Sequence, residues 1–138
     1  DANVIPYVAS AVVDGRFLPG AREQYLETIK ELIGDDIRIE VIENARAVET
    51  TFDGPLVDGM ASALKAEDEA AVAVPYLMSG GTDAKAFDRL NIRCFGFSPL
   101  LLPTDLDFFG MFHAVNERVP VSSLQFGVRV LDRFLRAA

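Results

Sequence analysis

The chain has 138 residues, half of them hydrophobic, with 21 acidic residues, 13 Lys or Arg, one His, one Cys and no Trp. This length and apolar content suit one domain or parts of two, and they disfavour an intrinsically disordered chain. The formal net charge of -8 disfavours nucleic acid and anionic membrane as general partners, because both would be repelled at long range. Cationic partners or metal ions fit this charge better.

Targeting and redox features favour the cytoplasm. No window approaches the roughly 20 consecutive apolar residues of a membrane-spanning helix, and Asp1-Ala2-Asn3 lacks the charged start of a signal peptide. The single cysteine, Cys94, lies in an apolar run, which predicts a small buried residue in a reducing compartment. The chain does not begin with Met. This indicates a chain cut from a longer one, and removal of the initiator Met is the alternative.

The first fifty residues predict a β-α-β unit. Residues 4–13 are rich in small and β-branched side chains, as a strand is. A helix follows, and Gly34 is placed to end it in a left-handed conformation. Residues 37–41 alternate with period two, as a strand with one solvated face does. The apolar face of the helix recurs at spacings of three and four and comprises Tyr25, Leu26, Ile29, Leu32 and Ile33.

A change of composition after residue 50 marks the predicted domain boundary. Pro55 is placed to open a second helix. The apolar face of that helix comprises Leu56, Met60, Ala63 and Leu64. Mostly apolar runs at residues 71–77 and 92–97 predict buried strands, with a short helix over residues 82–90 between them. The strand, helix, strand order predicts an α/β fold with a parallel sheet.

The last forty residues divide into an irregular segment and a helix. Residues 98–119 contain Pro99, Pro103 and Gly110, which predict a long loop on a rigid scaffold, where chemistry tends to lie. The terminal helix is predicted to start at Pro120. Its predicted apolar stripe comprises Leu124, Val128, Leu131, Phe134 and Leu135.

His113 is the first candidate functional residue, because imidazole is the commonest protein ligand for metals. A catalytic zinc needs about three protein ligands, so a chain with one His and one Cys must find the others among carboxylates or on another chain. Glu117, four residues later, is placed to orient a ring nitrogen or a neighbouring charge. The alternative is that Asn116, Glu117 and Arg118 cap the approach to the last helix and pair their charges locally.

The turn Ser79-Gly80-Gly81-Thr82-Asp83 is the second candidate. Its two glycines let the backbone approach a ligand closely, and the first amides of the following helix attract a carboxylate or phosphate. The alternative is an ordinary strand-to-helix turn capped by Thr82 or Asp83. The turn is not a P-loop, because the Gly-Lys-Ser/Thr ending is missing.

Other charged and nucleophilic residues give no catalytic pattern. Asp14 and Arg16, at the end of the first predicted strand, are predicted to form a solvated surface pair, and Asp105 and Asp107 to be solvated likewise. No Cys/His pair supports a thiol nucleophile, and no Ser lies in the elbow that a serine hydrolase needs.

Four segments resemble a known family. Because all four occur in the same order, the match is far more specific than that of any single segment. They are Asn3-Val4-Ile5-Pro6, Val13-Asp14-Gly15-Arg16-Phe17-Leu18-Pro19-Gly20, Ser79-Gly80-Gly81-Thr82-Asp83-Ala84-Lys85 and Phe112-His113-Ala114-Val115-Asn116-Glu117-Arg118-Val119. Together they resemble the C-terminal half of M20-type zinc peptidases, which include carboxypeptidase S, aminoacylase and succinyl-diaminopimelate desuccinylase. The resemblance is strongest to carboxypeptidase S and aminoacylase, through Gly80 to Lys85 and the run Phe95-Gly96-Phe97-Ser98-Pro99-Leu100.

The resemblance implies an α/β architecture in two parts. Residues 1–50 would be the second half of an α/β lid domain, which often mediates dimerisation. Residues 51–138 would be the C-terminal portion of a mixed α/β zinc-exopeptidase catalytic domain. The implied activity is hydrolysis of an amide bond near a free carboxylate, in dipeptides or N-acyl amino acids.

The resemblance also implies roles for the candidate residues. His113 would be the final ligand of a site for two zinc ions, with Glu117 and Asn116 supporting it from outside. The substrate pocket would be shaped by Gly80, Gly81, Thr82, Asp83 and Lys85. Lys85 stands where many relatives carry Arg, and a point charge does not replace the bidentate fork of Arg.

The chain departs from the family pattern in one large respect. Most of the family's metal site lies upstream of what this chain contains. The upstream part holds the first histidine ligand, the bridging aspartate, the paired glutamates including the general base, and the other carboxylate ligand. We therefore expect the 138 residues alone to bind no zinc, to be inactive and to expose apolar surface, and the parent with its N-terminal half to be the enzyme. The alternative is a non-catalytic α/β dimerisation or protein-interaction module that acts through an exposed sheet edge.

Overall fold

The computed structural model of the chain describes residues 5, 7–43 and 45–137. Within these residues lie four α-helices and one short 3-10 turn, with no strand. They are α1 (Arg22–Ile33), α2 (Pro55–Glu67), α3 (Ala84–Asp88), the 3-10 turn η1 (Phe109–Met111) and α4 (Val121–Ala137). Of the segment Asn3-Val4-Ile5-Pro6, all but Ile5 lies outside the described residues. None of the helices among the described residues is long and apolar enough to cross a membrane.

The four predicted strands are not formed among the described residues. Residues 7–13, 37–41, 71–77 and 92–97 contain neither helix nor strand. A helix closes its hydrogen bonds within itself, whereas a strand needs a neighbour to accept and donate them. The apolar patterns in these runs are those of strands, but a pattern does not supply the neighbouring strand that pairs with each run. The described residues therefore do not confirm the α/β class.

The helix termini follow the local chemistry of the sequence. Gly34, which ends α1, has φ 73°, and its N–H donates to Lys30 O at 2.9 Å. The positive φ agrees with the prediction, but ψ is -174°, so the residue is not in the full left-handed helical conformation. Pro55 opens α2, where its missing N–H leaves no helical bond unmade. α3 is shorter than predicted, because tight turns follow Asp88: Leu90 N–H donates to Phe87 O at 2.9 Å, and Asn91 N–H donates to Asp88 O at 3.0 Å.

Contacts within the chain divide it into two units. The first comprises Asp1–Glu49 with Met78–Asn91, and the second comprises Thr50–Leu77 with Ile92–Ala138. The first unit therefore holds α1 and α3, and the second holds α2, η1 and α4. The assignment of residues 1–50 to a lid and of residues 51–138 to a catalytic domain stays a prediction.

The core of the second unit lies between α2 and α4. Its buried cluster is Ala63, Phe126 and Val130, with Leu64, Phe97 and Phe134 packed against it. Ser123, only 1% exposed, donates its hydroxyl to Leu101 O at 2.6 Å and so ties α4 to the irregular segment before it. Cys94, predicted to be buried, is instead half-buried, with its thiol 3.8 Å from Ile92 O.

α4 packs through a different face from the predicted stripe. Of the five predicted residues, only Phe134 packs against the core, and the other four are exposed. The buried residues are Ser123, Phe126, Gly127 and Val130. Apolar and small residues cover roughly 200° of this helix at 100° per residue, so the pattern alone does not decide which part is covered. We call the uncovered part, Val121, Leu124, Val128, Leu131 and Leu135, the outer face of α4.

Candidate functional site

The segment that carries His113 folds into consecutive tight turns. Ala114 N–H donates to Met111 O at 3.0 Å, and Glu117 N–H donates to Ala114 O at 3.1 Å. His113 lies between these bonds with φ 62°, which is uncommon for a residue other than Gly, although His is enriched there. The Glu117 carboxylate accepts the backbone N–H of His113 at 3.2 Å. A side chain four residues away thus holds the backbone of the turn, while the imidazole is exposed.

The support from Glu117 reaches His113 by a route that differs from the predicted one. The carboxylate binds the main-chain amide of His113, whereas the sequence predicted an effect on a ring nitrogen or a neighbouring charge. Asn116 contributes its main-chain carbonyl, which accepts from Arg118 Nη1 at 3.0 Å. Glu117 therefore fixes the direction in which the imidazole leaves the chain, and Asn116 and Arg118 close the end of the turn.

A complete metal site is not assembled by residues 5, 7–43 and 45–137 alone. Among them, no three His, Cys, Asp or Glu side chains are close enough together to hold an ion. Because a catalytic zinc takes about three protein ligands, these residues do not fit a whole zinc site.

In the first unit, charged side chains converge on the Gly80-Gly81 turn. A Cβ built on Gly81 would lie 3.8 Å from Lys85 Nζ, so the ammonium lies back over the turn. Arg16 Nη1 donates to Ser79 O at 2.7 Å, while Arg16 Nε and Nη2 donate to Asp14 Oδ2 at 2.9 and 2.6 Å. The Asp14–Arg16 pair was predicted to be no more than a solvated pair. It is exposed, but it also fixes the backbone that enters the turn.

α3 does not provide the anion-binding helix start that was predicted for this turn. The helix has only five residues, so few peptide dipoles add along its axis. Asp83 precedes it without a side-chain capping bond, and Thr82 takes part through its carbonyl, which accepts Lys85 N–H at 3.3 Å. The dipole is weak and Asp83 makes no side-chain cap, so the positive charge beside the turn comes from the side chains of Lys85 and Arg16.

The candidate residues thus form two groups in different units of the chain. His113, Asn116 and Glu117 lie together in the second unit, and Gly80 to Lys85 lie together in the first. Each group is a local arrangement held by its own hydrogen bonds.

A group of aromatic rings precedes His113, and sequence reasoning did not give it a function. The centroids of Phe108 and Phe109 are 5.9 Å apart, those of Phe108 and Phe112 are 5.0 Å apart, and those of Phe109 and Phe112 are 5.5 Å apart. The Tyr76 ring lies 6.0 Å from that of Phe109. The signal in the sequence is the spacing of the three Phe across η1, because positions i and i+3 of a 3-10 turn eclipse. We call these four residues the aromatic cluster.

Comparison with known proteins decides the family. The sequence profile of peptidase family M20/M25/M40 matches residues 5–137. The chain belongs to this family. The resemblance to M20 peptidases that the four sequence segments predict is therefore confirmed.

Relatives of this M20 chain carry two kinds of name. It is 29% identical to the Mus musculus N-fatty-acyl-amino acid synthase/hydrolase PM20D1, over 99% of this chain and 28% of that protein. It is 28% identical to the Dictyostelium discoideum probable carboxypeptidase S-like 2, over 88% of this chain and 24% of that protein. The M20 chain thus spans about a quarter of the length of these relatives. No solved structure matches it significantly.

Proposed function

We propose that this M20 chain is part of a metal-dependent hydrolase that cleaves amide bonds next to a free carboxylate. Membership of the M20 family supports amide-bond hydrolysis at the level of the family. The names of the two relatives, an N-fatty-acyl-amino acid synthase/hydrolase and a carboxypeptidase S-like protein, supply N-acyl amino acids and peptides as the substrate classes.

The turn at His113 is the observation that carries the proposal. A non-Gly residue with positive φ costs free energy, and such residues cluster at functional sites. Here the Glu117 carboxylate holds this conformation, while the imidazole remains exposed. We assign to His113 one ligand position in a site for two zinc ions, whose other ligands and general-base Glu belong to polypeptide outside this chain. When bound, the ions would supply a Lewis acid and an activated water.

The substrate pocket belongs to the same proposal. Gly80, Gly81, Thr82 and Asp83 would shape the pocket, with the Lys85 ammonium as its positive charge. The hydrogen bond from Arg16 to Ser79 O supports this role, because it fixes the turn from the side of the chain that enters it. We further propose an α/β lid that contains residues 1–50, dimerisation through that lid, and a cytoplasmic location.

The assignment of His113 is tested by metal content. The zinc would be measured in a longer polypeptide that contains this segment and its upstream half. We expect zinc to bind, and His113→Asn to remove zinc and lower hydrolysis of N-acyl amino acids and dipeptides by at least about 100-fold. Asn tolerates positive φ, so this variant removes the imidazole while sparing the turn. A chelator should abolish the same activity.

Glu117→Gln is the matched control, because its amide oxygen still accepts the His113 N–H. We expect it to retain zinc and most of the activity, because the hydrogen bond that holds the turn is kept. Full zinc content in His113→Asn would contradict the ligand assignment. Bound zinc without hydrolysis of either substrate class would contradict the reaction. The 138 residues alone should show no activity.

The non-catalytic alternative depended on an exposed sheet edge. The described residues form no strand, so such an edge stays a prediction.

A further inference from the structure

We propose that Arg16, held by Asp14, is a positioning residue that orients the Ser79–Gly80 peptide for the carboxylate of the substrate. This inference rests on the proposed function and deepens it, because it names the residues that set the direction of the Gly80-Gly81 turn. All of the residues that carry it lie in the first unit of the chain.

All three guanidinium nitrogens of Arg16 have partners. Nε and Nη2 donate to Asp14 Oδ2 at 2.9 and 2.6 Å, and Nη1 donates to Ser79 O at 2.7 Å. The guanidinium is planar and rigid, so two bonds to one carboxylate oxygen also fix the direction of the third nitrogen. Asp14 therefore aims Nη1 at the Ser79 carbonyl.

The backbone on both sides of Arg16 packs against α1. A Cβ built on Gly15 would lie 2.7 Å from Tyr25 Cε1, so the absence of a side chain allows the Tyr25 ring to lie this close. The Phe17 ring follows Arg16 and lies 5.6 Å from the same Tyr25 ring. α1 thus provides a support from which the Arg16 side chain reaches the turn.

A fixed Ser79 carbonyl also fixes the next N–H group. The Ser79–Gly80 peptide is trans, and in a planar trans peptide the C=O and the N–H point in opposite directions. The Gly80 N–H therefore points away from the Arg16 guanidinium. Among the described residues it has no acceptor, and an oriented amide of this kind is a directed donor for a carboxylate.

Lys85 adds charge to the turn but little direction. Its ammonium lies 3.8 Å from the position of a Cβ built on Gly81, and its N–H donates to Thr82 O at 3.3 Å. A Lys ammonium is a point charge on a flexible stem, whereas a carboxylate is planar and directional. The directional part of carboxylate recognition therefore falls to the Gly80 N–H, which Arg16 orients.

The Asp14–Arg16 pair is suited to orientation more than to stability. The Arg16 side chain is 57% exposed and that of Asp14 is 72% exposed, and exposed ion pairs contribute little to the free energy of unfolding. We therefore expect Arg16→Met, which keeps the apolar stem and removes the donors, to leave the unfolding midpoint and the zinc content nearly unchanged. Substrate binding should weaken in the same variant.

Steady-state kinetics of the longer polypeptide test the inference with two substrates. One is an N-acetyl amino acid, and the other is its carboxamide analogue, which lacks the negative charge. We expect Arg16→Met to raise KM for the acid by roughly tenfold and to change kcat by less than about twofold, because binding of the carboxylate is lost equally from the ground state and the transition state. KM for the carboxamide should be nearly unchanged. Equal losses on both substrates would overturn the inference, since Arg16 would then support only the fold.

Asp14→Ala separates positioning from direct contact, because it removes the holder and keeps the guanidinium. If Arg16 itself bound the carboxylate of the substrate, its release from Asp14 would lower KM for the acid. We expect KM instead to rise by roughly threefold or more, and the double variant with Arg16→Met to be no worse than Arg16→Met alone, since the two residues act in one hydrogen-bond network. A fall in KM, or additive effects in the double variant, would overturn the inference.

Arg38→Met is the matched control. Arg38 lies in the same unit and also pairs with an acidic residue two positions away, Glu40, at 3.6 Å. It should leave KM unchanged for both substrates, and a rise in KM for the acid equal to that of Arg16→Met would overturn the inference. No hydrolysis of any N-acyl amino acid or dipeptide by the unsubstituted protein would instead overturn the proposed function.

A measurement on the unsubstituted protein does not depend on activity or on how the variants fold. An N-methylsulfonyl amino acid keeps the carboxylate and replaces the scissile amide with a sulfonamide. In protein labelled with isotopic glycine, we expect its addition to move the amide proton resonance of Gly80 downfield, and the carboxamide analogue to leave that resonance in place. An unmoved Gly80 resonance at saturating concentrations of the acid would overturn the inference.

Discussion

Gly127 allows α4 to lie closer to the preceding segment than a residue with a side chain would permit. A Cβ built at this position would lie 2.8 Å from Pro99 O and 3.4 Å from Leu100 Cδ2. The closest atom is a backbone oxygen, which cannot move without its segment. Gly127→Ala should therefore lower the free energy of unfolding by about 1–2 kcal/mol, because overpacking outweighs the gain of about 1 kcal/mol in helix propensity. Urea denaturation of the chain measures this change.

Gly59 in α2 is the matched control for that substitution. A Cβ built there would lie 3.4 Å from the Phe134 ring, which is an ordinary contact. Gly59→Ala should raise the free energy of unfolding by about 0.5–1 kcal/mol through helix propensity alone. Changes of the same sign in both variants would contradict the role given to the close approach at Gly127.

Residue-level features could be predicted where the partners are close in sequence. Glu117 is four residues from His113, so their contact was expected, although not through the backbone amide. The hydrogen bond from Arg16 to Ser79 O spans 63 residues, and no local pattern indicates which carbonyl a surface Arg will reach. The aromatic cluster has the same limit, because the place of Tyr76 beside Phe109 depends on the fold.

At the scale of elements, Glu67 joins α2 to α4. Its side chain is only 10% exposed and accepts from Arg129 Nε at 2.7 Å and Arg133 Nε at 2.5 Å. These hydrogen bonds, from Arg129 first and Arg133 second, hold the pKa of Glu67 below its usual value, while partial burial opposes them. The ionised carboxylate is therefore the form that stabilises the contact between the two helices.

The acid stability of the chain tests this junction. A lowered pKa in the folded state gives stability that is present above the usual value of 4.5 and is lost as the pH falls through the folded value. Glu67→Gln should lower the midpoint of thermal unfolding at neutral pH, and its difference from the unsubstituted chain should shrink below about pH 4.5. Glu69→Gln is the control, because Glu69 is exposed and forms no ion pair with the residues described. A difference that stays constant with pH would contradict the junction.

Helices were more predictable than strands because their hydrogen bonds are local. α1, α2 and α4 follow from apolar spacing together with Gly34, Pro55 and Pro120. Residues 37–41 carry the alternation of a strand, but no neighbour pairs with them among the described residues. The prediction of which face of α4 packs was also wrong. The apolar arc of this helix is wide enough for two contacts, and the sequence does not indicate which part packs against α2.

At the scale of the whole molecule, apolar surface exceeds what the core covers. The buried hydrophobic residues among those described are Val57, Met60, Ala63, Phe126 and Val130. Val121, Val128 and Leu135 of the outer face of α4 are 68%, 65% and 70% exposed. A core this small leaves little stability after the entropy cost of ordering the chain. We therefore predict that, in the proposed enzyme, further polypeptide covers the outer face.

Lysine substitutions on the outer face of α4 test that conclusion in two settings. In the 138-residue chain, Val128→Lys and Leu135→Lys should reduce self-association and the binding of a hydrophobic dye without lowering the unfolding midpoint, because both side chains are exposed there. In the longer polypeptide with its upstream half, each should destabilise by about 1.5–3 kcal/mol or more, because a buried apolar contact is replaced by a charge. Gln125→Lys, on the polar side of α4, should be neutral in both settings. Equal effects of the outer-face variants in the two settings would mean that the upstream half does not cover this face.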